Sequence, residues 1–296
     1  MVVSLFIRTF ALDMKYETLW RRLTGIYDRD EAKAIVRWVL EVRFGLSLTD
    51  IVCGKTDELS EAEQAELETM MLRLEKAEPV QYVVGVAEFC GRPFHVEPGV
   101  LIPRPETGEM CEEILEERDD QRDGYQILDI GTGSGCIAIT LALEIKEAKV
   151  TAWDISDDAL RIASKNAETL GAEVTFEQRD ILNHGDPMIP LTSKYDLIVS
   201  NPPYVCQKEQ ATMAKHVLEH EPHLALFVPD DDPLRFYRAI AQYAKKALKP
   251  SGLLYFELNP LYAHETAALL QDLGFAETEI KQDMFGKQRF LKAKMI

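Results

Sequence analysis

Four short segments carry residue types whose order could do chemistry. Asp129-Ile130-Gly131-Thr132-Gly133-Ser134-Gly135 follows a short apolar run and precedes a helical one. Glycines at such a turn let the backbone come close to a nucleotide-like ligand. The pattern is Gly-x-Gly-x-Gly with Cys136 next, so it departs from the G-x-G-x-x-G of dinucleotide enzymes. It also lacks the Gly-Lys-Ser/Thr ending of a phosphate-binding loop, which leaves a ligand without a pyrophosphate as the better fit. Asp154 ends the next apolar strand, where a carboxylate can accept hydrogen bonds from both ribose hydroxyls. Asp180, in Gln178-Arg179-Asp180-Ile181, ends a third strand, where an adenine amino group would lie. Asn201-Pro202-Pro203-Tyr204 follows a fourth.

The glycine loop with acids at two successive strand ends resembles the S-adenosylmethionine site of the Rossmann-like methyltransferases. On that footing Asn201-Pro202-Pro203-Tyr204 has a clear task. An amide nitrogen is a poor nucleophile because its lone pair is delocalised, so a catalyst must hold it toward the sulfonium methyl. The Asn201 side-chain oxygen and the Pro202 carbonyl can each accept one N–H of a carboxamide or an aryl amine, which is catalysis by positioning. Prolines stiffen the loop by fixing φ, and Tyr204 offers a flat face for packing the substrate. Methyltransferases acting on adenine N6 and on glutamine amides share this loop, so it does not choose between them.

The discriminating residues lie upstream. Val100-Leu101-Ile102-Pro103-Arg104-Pro105-Glu106-Thr107, preceded by Gly85-Val86-Ala87-Glu88-Phe89, closely resembles the release-factor glutamine methyltransferases. Further matches are Glu221-Pro222 followed by Ala225-Leu226, then Glu257, Gly286 and Arg289. Two departures are Gly108, where that family usually has a glutamate, and Asn259, where glycine or histidine is common. The resemblance implies methylation of the glutamine in the Gly-Gly-Gln motif of peptide-chain release factors. It implies that Gly131, Thr132, Gly133, Ser134 and Gly135 with the adjoining Asp129, then Asp154, Asp180 and Ile181, hold S-adenosylmethionine. Asn201, Pro202, Pro203 and Tyr204 would hold the substrate glutamine, with Asn201 also near the methionine end of the cofactor. Asn201, Pro202 and Tyr204 are the expected catalytic residues.

These segments need elements to position them. From about residue 124, short apolar runs alternate with helical stretches: Ile127–Ile130, Val150–Asp154, Val174–Glu177, Tyr195–Ser200 and Leu253–Leu258 read as strands. Repeated β-α units imply a parallel, doubly wound sheet covered on both faces. Glu277–Lys281 and Arg289–Ala293 read as a closing hairpin. The resemblance makes this a Rossmann-like domain with a mostly parallel seven-stranded sheet, over residues 106–296.

Upstream, Tyr16, Leu19, Trp20 and Leu23 suggest one helix, and Ala32, Ile35, Val36, Val39 and Leu40 a second that stops near Gly45. Ser60 with Glu63 forms a capping box before Leu67, Met70, Met71 and Leu74. These stripes predict a small helical bundle over residues 14–78, with no residue types for chemistry. Pro79, Gly85, Gly91, Pro93, Pro98 and Gly99 punctuate Gln81–Val84 and Pro93–Val96, which read as a β-hairpin linker over 79–105. The resemblance starts near Met14, so Met1–Asp13 reads as a disordered extension or an upstream-start artefact.

The 296 residues hold 33 Lys+Arg against 50 Asp+Glu, a formal net charge of −17. So acidic a chain repels a phosphate backbone unless a basic patch prevails. That argues against an N6-adenine methyltransferase, which would need a basic groove, and no direct nucleic-acid partner is expected. An acidic surface suits a release factor, whose contacts with ribosomal RNA call for basic patches. A non-catalytic protein that keeps the fold is a second rival, opposed by the intact Gly131, Asp154 and Asn201 motifs. Five scattered cysteines without a C-x-x-C pair fit a reducing cytoplasm. No apolar run approaches the roughly 18 residues that span a bilayer, and the N-terminus lacks the parts of a signal peptide. A cytoplasmic monomer is expected. His216, His220 and His223 with Glu219 and Glu221 lack the H-E-x-x-H order, so no metal is expected. Arg104 suits either a contact near the cofactor or a structural ion pair, and Glu106 could cap a helix begun at Thr107.

Overall fold

The structure, a computed structural model, describes residues 14–117, 124–183 and 194–296; the expectation for Met1–Asp13 lies outside them. The chain divides into two compact units at Val84/Gly85.

The first unit is helical. It contains α1 (Tyr16–Arg22), α2 (Arg29–Phe44), α3 (Leu48–Val52), a 3₁₀ turn at Lys55–Glu58, α4 (Glu61–Leu74) and α5 (Val80–Val84). Local signals set the ends. The Asp28 carboxylate accepts from the Asp30 and Glu31 backbone N–H groups to start α2, and Gly45 ends it at φ 66°. Ser60 and Glu63 form a reciprocal capping box at α4. The core joins Leu19, Leu23, Val36, Leu40, Leu67 and Met71, all fully buried. Gln81–Val84, expected as part of a hairpin linker, lies instead in the helix Val80–Val84, which packs Val83 into this core. A five-residue segment is too short to show a period that separates strand from helix, and tertiary burial decided it.

The second unit opens with a hairpin of β1 (Val86–Phe89) and β2 (Arg92–His95), then α6 (Pro105–Glu117). Next come β3 (Gln126–Ile130), α7 (Cys136–Glu144), β4 (Lys149–Asp154), α8 (Asp157–Leu170), β5 (Val174–Gln178) and β6 (Tyr195–Ser200). A two-residue β7 (Val205–Cys206), α9 (Lys215–His220), α10 (His223–Leu226) and β8 (Phe227–Val228) follow. The chain ends with α11 (Arg235–Ala247), β9 (Leu248–Glu257), α12 (Ala263–Asp272), β10 (Ala276–Gln282) and β11 (Gln288–Lys294). The seven-stranded sheet has order β10-β11-β9-β6-β3-β4-β5. β3, β4, β5, β6 and β9 run parallel, and β11 pairs antiparallel with β9 and β10. Alternate strand residues feed two cores. Ile127, Leu197 and Val199 pack with Ile137 and Leu141 of α7, while Leu128, Ile130 and Ile198 pack with Tyr237 and Ile240 of α11. A central strand buried on both faces reads as a continuous apolar run, and all of β6 is buried.

One consequence of strand order positions the site. From β3 the chain moves outward through β4 and β5, then returns to place β6 on β3's other side. The strand order therefore reverses at β3. In open α/β sheets the crevice at the carboxyl ends of such strands is where ligands bind.

Candidate active site

Every segment singled out above for its chemistry leaves the sheet at that crevice. A cavity of about 360 Å³ lies there, lined by Gly131–Ser134 after β3, Asp154 at the end of β4, Arg179–Leu182 after β5 and Asn201–Pro203 after β6. Gly99–Arg104 and Thr107 form another wall, with Pro222, Leu224 and Ala225 beyond.

The glycine loop is tied down from below. The Gly131 and Thr132 N–H groups donate to the Trp153 carbonyl at 2.8 and 3.0 Å. Gly133 N–H donates to Asp154 Oδ2 at 2.9 Å, and Ser156 N–H donates to Oδ1 at 2.9 Å. Gly133 lies at φ 55°, and a Cβ there would meet nothing within 4 Å. Burial raises the Asp154 carboxyl above its usual range, against the pull of the Ser156 and Gly133 N–H groups.

Three expected site residues sit elsewhere. Asp129 is fully buried behind the loop, where its Oδ2 accepts from the Thr132 hydroxyl at 2.7 Å and its Oδ1 has no partner. Burial pushes its carboxyl up to about 7, with Asp154 adding to the shift and the Thr132 hydroxyl opposing it. Gly135 is also outside the cavity wall. A Cβ there would lie 2.8 Å from Ile139 Cδ1 and 3.0 Å from Ala163 Cβ, so this glycine lets α7 and α8 pack closely. Tyr204 turns its ring inward rather than toward a ligand, and its hydroxyl donates to Glu257 Oε1 at 2.9 Å. That burial, followed by the charge of Glu257, raises the Tyr204 hydroxyl well above its usual range.

Several residues that hold the site had no role assigned from sequence. Asn201 Nδ2 donates to Thr107 Oγ1 at 3.2 Å, and Thr107 Oγ1 donates to Glu257 Oε2 at 2.6 Å. Asn259 Nδ2 donates to the Tyr204 carbonyl at 3.0 Å. Asn166 Nδ2 donates to the Ser134 carbonyl at 2.9 Å, which pins the glycine loop to α8. A signal existed for two of them. Asn166 interrupts the apolar stripe Ala159, Ile162, Ala163, Ala167, and Glu257 is a lone carboxylate in the apolar run Leu253–Leu258. Buried polar groups in apolar stripes demand partners.

Arg104 makes the structural ion pair, with Glu221, whose Oε2 also accepts from the Ile102 N–H at 3.2 Å. Glu106 lies in the first turn of α6, which begins at Pro105. No three His, Cys, Asp or Glu among the described residues converge as a metal site, and His223 Nε2 bonds the Leu218 carbonyl at 2.9 Å.

The lining fits a nucleoside with a cationic centre better than a polyphosphate. Arg104 and Arg179 are the guanidiniums of the wall, and each already faces a carboxylate, Glu221 and Glu177. Asp154 and Asp180 add negative charge.

Comparison with known proteins agrees with that geometry. Residues 20–85 match the PrmC N-terminal domain family and residues 110–226 the methyltransferase small domain family. A release factor glutamine methyltransferase of Bacteroides thetaiotaomicron is 49% identical over 92% of this chain and 95% of its own length. The chain belongs to the release factor glutamine methyltransferase family. Another member, from Flavobacterium psychrophilum, is 42% identical over 91% of this chain and 94% of its own. The fold also resembles the T. thermophilus 16S rRNA N2 G1207 methyltransferase, with a TM-score of 0.51 and 20% identity over 71% of this chain and 50% of that one. No helix among the described residues is long and apolar enough to cross a membrane.

Proposed function

We propose that this chain transfers a methyl group from S-adenosyl-L-methionine to the side-chain amide N5 of the glutamine in the Gly-Gly-Gln motif of peptide-chain release factors. The observation that carries this is the meeting of Asn201 and Pro202 with the glycine loop and Asp154 around one cavity. The Gly131–Ser134 backbone, Asp154, Asp180 and Ile181 hold the cofactor. When bound, it supplies an electrophilic methyl carbon on a sulfonium.

The chain's own residues orient the nucleophile. Asn201 Oδ1 and the Pro202 carbonyl each accept one N–H of the substrate carboxamide, which presents the nitrogen's lone pair toward the cofactor side of the cavity. Pro202 and Pro203 keep that pair of acceptors from drifting by restricting φ. Tyr204 supports the loop from the interior through Glu257 and Asn259. No protein base is required, because an N-methylated protonated amide loses its proton readily to water.

The helical unit and the β1–β2 hairpin take part in gripping the partner, and the net charge of −17 favours a basic one over nucleic acid. The enzyme acts in the cytoplasm as a monomer without direct nucleic-acid contact. The test is labelled S-adenosylmethionine with a release factor, its Gln→Ala variant and duplex DNA in parallel. Label in the release factor, lost with Gln→Ala, is expected. Label in DNA alone would point to adenine methylation, and cofactor binding without transfer to a non-catalytic role.

A further inference from the structure

An asparagine amide has two ends of opposite character, an acceptor oxygen and a donor nitrogen, of similar size and shape. Gripping a substrate carboxamide requires the oxygen to face the substrate N–H. If the group turned over, its NH₂ would point at the substrate NH₂, a donor against a donor. Nothing about Asn201 by itself prevents that.

We propose that Glu257 and Thr107 are positioning residues that fix which end of the Asn201 amide faces the substrate, by a chain of hydrogen bonds with a single allowed direction. The inference rests on the function proposed above. Its geometry is continuous: Tyr204 hydroxyl to Glu257 Oε1 at 2.9 Å, Thr107 hydroxyl to Glu257 Oε2 at 2.6 Å, Asn201 Nδ2 to Thr107 Oγ1 at 3.2 Å. The direction follows from counting protons. Both hydroxyls donate to the Glu257 carboxyl, Thr107 to Oε2 and Tyr204 to Oε1, and each hydroxyl has a single proton. Thr107 has then spent its one proton and can only accept from Asn201. Asn201 therefore turns its NH₂ toward Thr107, which leaves Oδ1 on the other side of the amide, in a residue that lines the cavity.

The inner part of the chain has little contact with solvent, which would otherwise compete for its bonds. Thr107 and Glu257 are each only 2% exposed. Charges and hydroxyls around Glu257 come from every element that meets it. These are Thr107 and Glu106 of α6, Tyr204, Arg289 of β11, and Tyr237 of α11, which donates to the Glu257 carbonyl at 3.1 Å. Burial raises the carboxyl above its usual range, while the Thr107 and Tyr204 hydroxyls and Arg289 favour the ionised form. A carboxylate buried behind the Thr107 wall of the cavity is costly unless it is hydrogen-bonded, and the Thr107 and Tyr204 hydroxyls supply those bonds. Here it sets the polarity of Asn201.

Thr107→Val keeps the shape and removes the hydroxyl, while Thr107→Ser keeps the hydroxyl. With a release factor as substrate, Thr107→Val should lose about tenfold to a hundredfold in kcat, less than removal of a group that touches the substrate directly. The KM for S-adenosylmethionine should stay within about twofold, and Thr107→Ser should restore most of the turnover. Unchanged kcat in Thr107→Val, or equal loss in both variants, overturns the proposal. A second readout is independent of turnover. In ¹⁵N NMR of the full chain, the Asn201 side-chain NH₂ should exchange slowly with solvent in wild type and Thr107→Ser, and fast in Thr107→Val. Equal exchange in all three overturns the relay. If wild type leaves the release factor unlabelled while the NMR pattern holds, the proposed substrate fails and the relay stands.

Discussion

The two units bury different things. In the helical unit the interior is apolar from α1 to α5, and Thr56 is its one buried polar side chain among the described residues. Its charged groups meet near the surface, as where Arg22 bridges Glu68 and Glu75. The α/β unit has an apolar interior too, yet Asp129, Thr107, Glu221, Glu257, Asn259 and Ser134 are buried near one end of its sheet. Burying a polar group costs stability unless it is fully paired. A unit that aims no reacting group in its interior largely avoids that cost, the unpartnered Thr56 hydroxyl being the exception. A unit that must aim a carboxamide and a cofactor accepts it at the edge where strand order reverses.

That contrast can be broken in several places. The largest effect should come from Asp129, whose folded carboxyl titrates at about 7. Between the unfolded carboxyl's pKa of roughly 4 and the folded value, the native state holds a proton that the unfolded state has lost. This group's contribution therefore falls as pH rises through that window and is constant above it. Asp129→Asn should gain stability relative to wild type from pH 4 to pH 7 by up to about 4 kcal/mol, read from urea denaturation at each pH. A difference that is flat with pH would place Asp129 among ordinary carboxylates.

Next is Asn201→Ala. Turnover of a release factor should drop by about 10²–10³, or about 3–4 kcal/mol, while S-adenosylmethionine affinity by calorimetry stays within about tenfold. Near-normal turnover would remove Asn201 from its assigned role. Leu40→Ala, in the fully buried centre of the helical unit, should cost about 3 kcal/mol of stability and leave cofactor affinity untouched. A matching loss of affinity would mean the helical core contributes to the site. The smallest effect is expected at the exposed Glu17–Arg21 pair, 66% and 65% accessible. Glu17→Gln should change the unfolding free energy by less than about 0.5 kcal/mol, and a larger change would show that this exposed pair contributes to stability.

Legibility followed the range of the interaction. The α2 and α4 stripes, the Ser60–Glu63 box and the strands around the glycine loop depend on residues within one or two turns, so period and capping chemistry revealed them. Gln81–Val84 reads as strand in the sequence yet lies in a helix, because so short a segment does not contain a period. Gly135 looked like a ligand contact, yet its need for a bare Cα arises from Ile139 and Ala163. Tyr204 looked like a platform for the substrate, but its hydroxyl has a partner 53 residues away. Thr107 and Glu257, 150 residues apart, share no local pattern at all.

What the amino-acid order determined alone was the set of parts: apolar periods for helices and strands, the glycine loop, the two strand-end acids, and an asparagine held between strand and prolines. Those follow from sterics and hydrophobicity acting over a few residues. Only the folded chain decided which polar groups face the cavity and which face one another. A hydrogen bond's direction depends on where the last proton goes, and that is settled when α6, the loop after β6, and β9 bring Thr107, Asn201 and Glu257 into contact.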